Sequence, residues 1–123
     1  MPASRPSPPR ALRMALYFSA AGVLVAGLLG SGATPVAAGL LHAPWDKLAH
    51  LVAYAALGLL LAAGFSGRRP LLSGGLACAI GVMDELTQGL HPGRHADLGD
   101  LGADLAGALA AAVIVRYYWK RGG

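Results

Sequence analysis

The sequence predicts an all-α integral membrane protein, a bundle of about four transmembrane helices. Hydrophobic residues make up 55% of the 123 residues and charged residues only 13%, whereas soluble domains typically carry about 25% charged residues. The mean hydropathy is +0.54. Because roughly 20 apolar residues in a helix cross the hydrocarbon core, the chain has room for about four spans joined by short loops.

Hydropathy and turn residues give the position of each span in order. Residues 1–10 are rich in Pro, Ser and Arg and are predicted to be a disordered tail, followed by a single four-helix domain over residues 11–121. Every connector between the predicted spans contains Pro or Gly, which favour turns. The predicted spans are Ala11 to Gly32, Asp46 to Phe65, Leu71 to Leu90 and Leu101 to Trp119.

The first span has a second interpretation as a cleaved secretory signal. Basic residues, an apolar stretch and a Val36-Ala37-Ala38 sequence follow one another in the order that such a signal requires. Its apolar run of about 20 residues is longer than the ~7–15 residues of a typical signal peptide, which favours a retained helix. Either outcome leaves the last three spans unchanged.

Basic residues are divided unequally between the two sides of the predicted bundle. Eight of the ten Lys and Arg residues flank helix ends on one side, and only Lys47 and Arg94 join the six acids on the other. By the positive-inside rule, both termini are cytoplasmic and the acidic side faces outward from the inner (cytoplasmic) membrane. The net charge of +4 is therefore a topology signal, and we expect no nucleic-acid partner.

Each of the last three spans carries a polar stripe, because residues four apart share one face of a helix. A carboxylate that faced lipid at this depth would cost at least a few kcal/mol, so the stripes are expected to face the bundle interior. The stripes are Asp46, His50 and Tyr54 on the second span, Asp84 and Gln88 with Glu85 at the edge on the third, and Asp100 and Asp104 on the fourth, joined by Asp97 if that helix begins early. Small residues that permit close packing repeat at Gly22, Ala26 and Gly30 on the first span and at Ala103, Gly107 and Ala111 on the fourth.

Two basic residues cannot neutralise six acids on the outer side. Some of the carboxylates must therefore be protonated, hydrated or bound to a cation. A divalent metal ion, a cationic group on a ligand and a proton relay all meet this requirement. The candidate metal ligands suit Mg²⁺ or Mn²⁺, with Zn²⁺ as a further choice, and they are His50, Asp84, Glu85 and Asp104.

Several of these residues also have purely structural interpretations. Asp46 and Asp97 each lie near a predicted helix start, where a carboxylate can cap backbone N–H groups. The adjacent acids of the third span could form ion pairs with Lys47 or Arg94, although intramembrane acids are costly for that purpose alone. Arg94 is suited both to bidentate binding of a phosphate or carboxylate and to simple charge balance.

Two blocks of sequence resemble the VanZ-like family of bacterial membrane proteins. WDKLAHLVAYAALGLL contains the pattern D-K-x-x-H-x-x-x-Y, and DELTQGLHPGRHADLGDLGADLAG contains D-E-x-x-Q, a P-G-R turn and D-x-x-x-N/D-x-x-G. The resemblance covers roughly Trp45 to Ala112, and Asp104 stands where the family commonly has Asn. The matching positions are Asp46, Lys47, His50, Tyr54, Asp84, Glu85, Gln88, Arg94, Asp100, Asp104 and Gly107.

The resemblance implies a small membrane protein of about four helices, linked through the family's named member to resistance against glycopeptide antibiotics such as teicoplanin. It implies no particular reaction. We expect the matching positions to form a polar site near the outer face that binds or acts on a cell-envelope component, such as a lipid-linked precursor. The alternative is a membrane-embedded, metal-dependent hydrolase or transferase that uses His50 and the Asp/Glu cluster. A proton-coupled carrier is a third class, for which four short spans are few unless the protein oligomerises.

Overall fold

The computed structural model describes residues 3–32, 45–90, 92 and 96–122, and the regular structure among them is entirely helical. Each of the four predicted spans is a helix, which confirms the fold class. The last helix begins three residues earlier than predicted, because Asp97 caps it by accepting a hydrogen bond from the Gly99 amide at 2.7 Å. The helices are α1 (Arg10–Gly32), α2 (Trp45–Gly64), α3 (Pro70–Leu90) and α4 (Leu98–Gly122).

Three of the four described helices, α1, α2 and α4, are long and apolar enough to span a membrane. The remaining helix, α3, is 21 residues long but buries four polar side chains, those of Ser73, Asp84, Glu85 and Gln88. Its outward surface is apolar, with Val82, Met83 and Leu86 among its exposed residues. Polar residues are tolerated in a membrane helix when they face the interior of the bundle, and α3 therefore fits as the fourth span.

The closest helix pair is α2 and α4, which pack more extensively on each other than any other pair does. A Cβ added at Gly107 of α4 would lie 2.9 Å from the backbone nitrogen of Ala55 on α2. Further along the same contact, a Cβ at Gly58 would lie 2.7 Å from the Cβ of Ala111. The small residues of α4 thus allow a close helix crossing, as the sequence predicts.

The small residues of α1 do not bring it close to the bundle, and that prediction is wrong. A Cβ at Gly22 or Gly30 would meet no described atom within 4 Å, and Ala26 is exposed. The contact of α1 with the bundle is instead made by a different face, which carries Phe18 and Ala21. The Phe18 ring lies edge-on to the Phe65 ring with 5.1 Å between centroids, and Ala21 of α1 is buried in the core.

A tight turn joins α2 to α3 at the end of the bundle opposite the acids. The Gly67 amide donates to the Ala62 carbonyl at 2.8 Å and the Ser66 amide donates to the Ala63 carbonyl at 2.9 Å. With Ser66 in the left-handed region at φ 55°, this pattern is a Schellman cap. Pro70 then begins α3 at a position where its missing N–H costs nothing. The start of α2 and the end of α3 therefore lie side by side.

The apolar core lies between this turn and the polar end of the bundle. Tyr54 marks its border, since its ring is fully buried while its hydroxyl reaches an acid on α3. The apolar core thus lies directly below the polar residues and separates them from the α2–α3 turn. Its buried members are Ala21, Tyr54, Leu57, Leu61, Ala77 and Ala108.

Candidate functional site

Polar residues of α2, α3 and α4 meet at one end of the bundle, where α2 and α4 begin and α3 ends. They form two clusters, and within each cluster the nitrogen or oxygen atoms that could bind a metal lie within 4.8 Å of one another. The inner cluster is His50, Asp84, Glu85 and Asp104, and the outer cluster is Asp46, Asp97 and Asp100. The three stripes that helical spacing predicts therefore do come together.

Lys47 lies at the centre of the outer cluster. Its Nζ is 3.1 Å from Oδ2 of Asp97, 3.1 Å from Oδ1 of Asp100 and 3.4 Å from Oδ2 of Asp46. The side chains of Lys47 and Asp97 are 37% and 46% exposed, so water and salt weaken each pair. Together the contacts tie the start of α2 to the start of α4.

Asp97 is also the N-cap of α4, as one of the sequence interpretations predicts. Its side chain accepts from the Gly99 amide, and its carbonyl accepts from the Leu101 amide at 3.0 Å. The Lys47 ammonium, followed by the Gly99 amide, holds the pKa of the Asp97 carboxyl below its ordinary value. In addition, the Asp97 amide donates to Oε2 of Glu85 at 2.9 Å. This residue therefore connects the outer cluster to the inner one.

Asp46 is the other predicted cap, at the start of α2. The helix begins at Trp45, so Asp46 lies within the first turn and not before it. One of its oxygens contacts Lys47, and Oδ1 has no hydrogen-bond partner in the part of the chain that the structure describes. Asp46 is therefore a member of the outer cluster, and no capping contact is seen for it among the described residues.

His50, a member of the inner cluster, also lies beside Asp100 of the outer cluster. Its Nδ1 is 2.7 Å from Oδ1 of Asp104, and its Nε2 is 3.8 Å from Oδ2 of Asp100. The His50 side chain is 18% exposed, whereas the Asp104 side chain is fully buried. The imidazole therefore lies next to the partly exposed outer cluster on one side and contacts a fully buried acid on the other.

Tyr54 holds the second fully buried acid, Asp84, by donating its hydroxyl to Oδ2 at 3.1 Å. The Tyr54 ring is parallel to the His50 ring, with 7° between planes and 6.5 Å between centroids. Space for this arrangement comes from Gly81, where a Cβ would lie 3.0 Å from the Cβ of Asp104 and 3.4 Å from the Tyr54 ring. A glycine on α3 thus lets the acids of α3 and α4 approach each other.

Three buried carboxylates of the inner cluster each have one oxygen without a hydrogen-bond partner among the described residues. These oxygens are Oδ1 of Asp84, Oε1 of Glu85 and Oδ2 of Asp104. The residues are 1%, 5% and 0% exposed. Because a buried polar atom without a partner is costly, a proton, a water molecule or a cation is expected beside each oxygen.

The remaining predicted site residues are only partly placed. Gln88 is 3% exposed and lies one turn beyond Asp84 on the inner face of α3. Arg94 lies outside the described residues. Lys47 makes its ion pairs with the outer cluster, and among the described residues no salt bridge reaches Asp84 or Glu85 from a lysine or arginine.

Two glycines shape the site although the sequence pattern does not single them out. Gly81 lies one turn before Asp84 on α3, and this spacing is the only sequence signal that points to it. A Cβ at Gly99 would lie 2.6 Å from Cε of Lys47, so a side chain there would displace the lysine from the outer cluster.

All of these residues fall within the region matched by a protein-family model described as VanZ/LLP1, which covers residues 11–119. No curated protein and no solved structure gives a significant match to the chain. The family match spans α1 to α3 and most of α4, and it includes both polar clusters. The chain therefore belongs to the VanZ/LLP1 family.

Proposed function

We propose that the two polar clusters form one site that binds, or acts on, the polar headgroup of an amphiphilic cell-envelope molecule, such as a lipid-linked precursor. Family membership and the apolar helices support a membrane protein of the VanZ type. The observation that carries the proposal is the convergence of polar side chains from three helices at one end of an otherwise apolar bundle.

The surface around the clusters suits such a molecule. Lys47 and Asp97 are partly exposed at the rim, while the inner cluster is almost closed. Beside them, α2 exposes Leu48 and Val52 and α3 exposes Leu86. A ligand with an apolar tail can therefore lie against the helices while its headgroup reaches the rim, because the apolar contacts remove its tail from water.

The charge of the site restricts the chemistry of the headgroup. Six carboxyl groups and a single lysine make up the charged groups of the two clusters among the described residues. Such a field repels an unaccompanied anion. A cationic headgroup, or an anionic headgroup held through a bound cation, is therefore the ligand class that fits.

The proposal assigns this end of the bundle to the outer face of the inner membrane, with both termini cytoplasmic. The unequal division of basic residues supports this orientation. It also gives the site access to envelope molecules at the outer leaflet, which agrees with the link to teicoplanin resistance that the family resemblance implies. The expected cellular effect is a lower teicoplanin tolerance when the site is mutated in a host that depends on the protein.

A native mass spectrum of the protein in gentle detergent tests the proposal. The wild type is expected to retain an amphiphilic envelope molecule, and His50→Gln and Asp100→Asn are expected to lose it. Ser73→Ala is the matched control, since this buried hydroxyl on α3 donates to the Arg69 carbonyl at 2.9 Å about three turns away from the clusters. An equal amount of bound amphiphile in all four proteins, or none in the wild type, contradicts the proposal.

A second candidate function is hydrolysis or group transfer on the same molecule. The close approach of one imidazole and three carboxylates favours it, because this set can hold a metal that activates water. Incubation of the purified protein with lipid-linked precursors, followed by mass spectrometry of the lipids, distinguishes turnover from binding. Turnover that stops with a chelator supports catalysis, and unchanged lipids support a binding role.

A further inference from the structure

We propose that the inner cluster is a binding site for one divalent metal ion, with His50, Asp84, Glu85 and Asp104 as its protein ligands. The proposal deepens the proposed function. It rests on that function only for the role of the ion, which is to hold a headgroup at an acidic site. The metal site itself is inferred from separate observations on the four side chains.

The first observation is the distance between the potential ligand atoms. One atom from each of the four residues lies within 4.8 Å of all the others. Oxygen and nitrogen ligands bound at ~2.0–2.2 Å to a single ion lie no more than about 4.4 Å apart. The upper limit on the separations is therefore only about 0.4 Å above the largest distance that one ion allows, and modest side-chain movement would bring all four atoms to the ion.

The second observation is that each buried carboxylate has one oxygen without a partner among the described residues, and two of the three have their other oxygen held by a group outside the proposed ligand set. A group of acids alone would not indicate a ligand, but this division is what metal-binding carboxylates require, because their outer contacts orient them. The oxygens that are held are Oδ2 of Asp84 by the Tyr54 hydroxyl and Oε2 of Glu85 by the Asp97 amide. Nδ1 of His50, which contacts Oδ1 of Asp104, would exchange that contact for the ion.

The third observation is the charge of the inner cluster. Three buried carboxylates lie together, and Lys47 is occupied by the outer cluster. A divalent ion would neutralise two of the three charges at once and supply a partner to every free oxygen. On the far side of the imidazole, Oδ2 of Asp100 lies 3.8 Å from Nε2 of His50. A metal-bound imidazole commonly has such an outer carboxylate beside its other ring nitrogen.

The identity of the donors limits the choice of ion. One nitrogen and three carboxylates suit Mn²⁺, and Zn²⁺ accepts the same donors. Ca²⁺ is disfavoured because it takes about six to eight oxygen ligands. The site therefore fits a first-row transition metal, with Mn²⁺ as the most convenient probe.

Direct titration tests the site. The full chain is purified in detergent, stripped with a chelator and titrated with Mn²⁺ while electron paramagnetic resonance measures the free ion. The wild type is expected to bind one Mn²⁺ per chain, and Asp84→Asn and Glu85→Gln are each expected to weaken binding by at least the ~10–100-fold that loss of an outer partner causes. Ser73→Ala is the matched control on α3, since its hydroxyl donates to the Arg69 carbonyl outside both clusters, and it should keep the affinity of the wild type.

A thermal measurement separates a lost ligand from a lost fold. Bound Mn²⁺ should raise the Tm of the wild type, because an ion that binds only the folded state stabilises it. The ligand variants should melt as stripped wild type does but show no rise with Mn²⁺. If a variant fails to fold, pulsed electron paramagnetic resonance of the wild-type Mn²⁺ complex still tests the site. It should detect coupling between Mn²⁺ and one imidazole nitrogen, and this coupling should be absent in His50→Gln.

Two results overturn the metal centre: no stoichiometric binding of Mn²⁺ or Zn²⁺ by the wild type, or a loss of affinity in Ser73→Ala equal to that in Asp84→Asn and Glu85→Gln. Native mass spectra recorded with chelator present test the bound amphiphile independently. Metal binding without any bound amphiphile would contradict the proposed function and support the metal site. A bound amphiphile that survives chelation, with no metal binding, would support the proposed function and contradict the metal site.

Discussion

His50 Nδ1 and Asp104 Oδ1 lie 2.7 Å apart and join α2 to α4 across the interior of the bundle. The second oxygen of Asp104 is buried and has no partner among the described residues. One oxygen thus serves the fold and the other is free for a ligand. An asparagine at position 104 keeps a polar contact with His50 but has no negative charge. The Asp104→Asn substitution can therefore separate the structural role from ligand binding.

Asp104→Asn should keep the fold and bind Mn²⁺ measurably but more weakly than the wild type. The amide preserves a polar contact with His50, whereas the lost charge weakens attraction to a cation. Asp104→Leu should abolish binding and lower the free energy of unfolding by about 1–3 kcal/mol, because it leaves a partly buried imidazole without its partner. Melting curves and Mn²⁺ titration measure both effects. Equal Mn²⁺ affinity in the wild type and Asp104→Asn would show that the carboxylate charge is not used.

Asp84→Asn and Glu85→Gln should melt at the same temperature as the metal-free wild type, or higher. Neither acid pairs with Lys47, so neutralising one leaves no described basic residue unpaired and relieves repulsion between acids. Membrane insertion should also survive, since the transfer cost falls. Detergent melting of the purified variants measures this. A loss of the ~3–5 kcal/mol typical of a broken buried pair would instead identify a basic partner, and Arg94 is the remaining basic residue on that side of the predicted bundle.

Gly107→Ala should destabilise the bundle by about 1–3 kcal/mol, because the added methyl group would press on the backbone of α2 at Ala55. Gly102→Ala on the same helix is the matched control, since a Cβ there meets no described atom within 4 Å. The control should be neutral or stabilising by up to about 1 kcal/mol, as alanine favours a helix over glycine. Melting temperatures of both variants provide the comparison, and equal values would contradict the close α2–α4 crossing.

The helix positions are predictable from sequence because each apolar run is about as long as the membrane is thick and is bounded by Pro or Gly. The inner cluster is predictable for a related reason. Residues four apart must share a helix face, and carboxylates on several membrane helices avoid the cost of facing lipid by pointing into the bundle interior. His50 and Asp104 meet for this reason, although they are far apart in the sequence.

Features that depend on the size of a neighbouring side chain are not predictable in this way. The glycines of α1 resemble a packing motif, yet a Cβ at Gly22 or Gly30 would meet no described atom within 4 Å, and α1 packs through Phe18 and Ala21 instead. The partner choice of Lys47 depends on α4 beginning at Leu98, which brings Asp97 and Asp100 to its ammonium group. Hydropathy alone does not fix a helix start to within three residues.

Acidification should release the ion pair at the start of α4. Asp97 has an ordinary pKa of 3.8, and Lys47 and the Gly99 amide lower the pKa in the folded protein. A carboxyl with a lowered folded pKa contributes stability above its unfolded value, and this contribution is lost as the pH falls through the folded value. We therefore expect a carboxyl NMR titration of Asp97 to have its midpoint below 3.8.

In Lys47→Met the midpoint should rise, because the largest cause of the shift is removed. The Lys47→Arg variant keeps the positive charge and should stay near the wild type. A midpoint that does not differ between wild type and Lys47→Met would contradict the ion pair at the rim.

The orientation of the bundle can be tested by labelling single cysteines in intact cells, after the lone native thiol is removed by Cys78→Ser. Ala96→Cys, beside the exposed start of α4, should react with an impermeant thiol reagent added from outside, because the positive-inside rule assigns this end to the outer face. Ser66→Cys, in the turn between α2 and α3, should react only after the membrane is permeabilised. Labelling in permeabilised cells controls for thiol access at both positions. The opposite pattern would put the two clusters at the cytoplasmic face, and the ligand would then have to be sought among molecules of the inner leaflet.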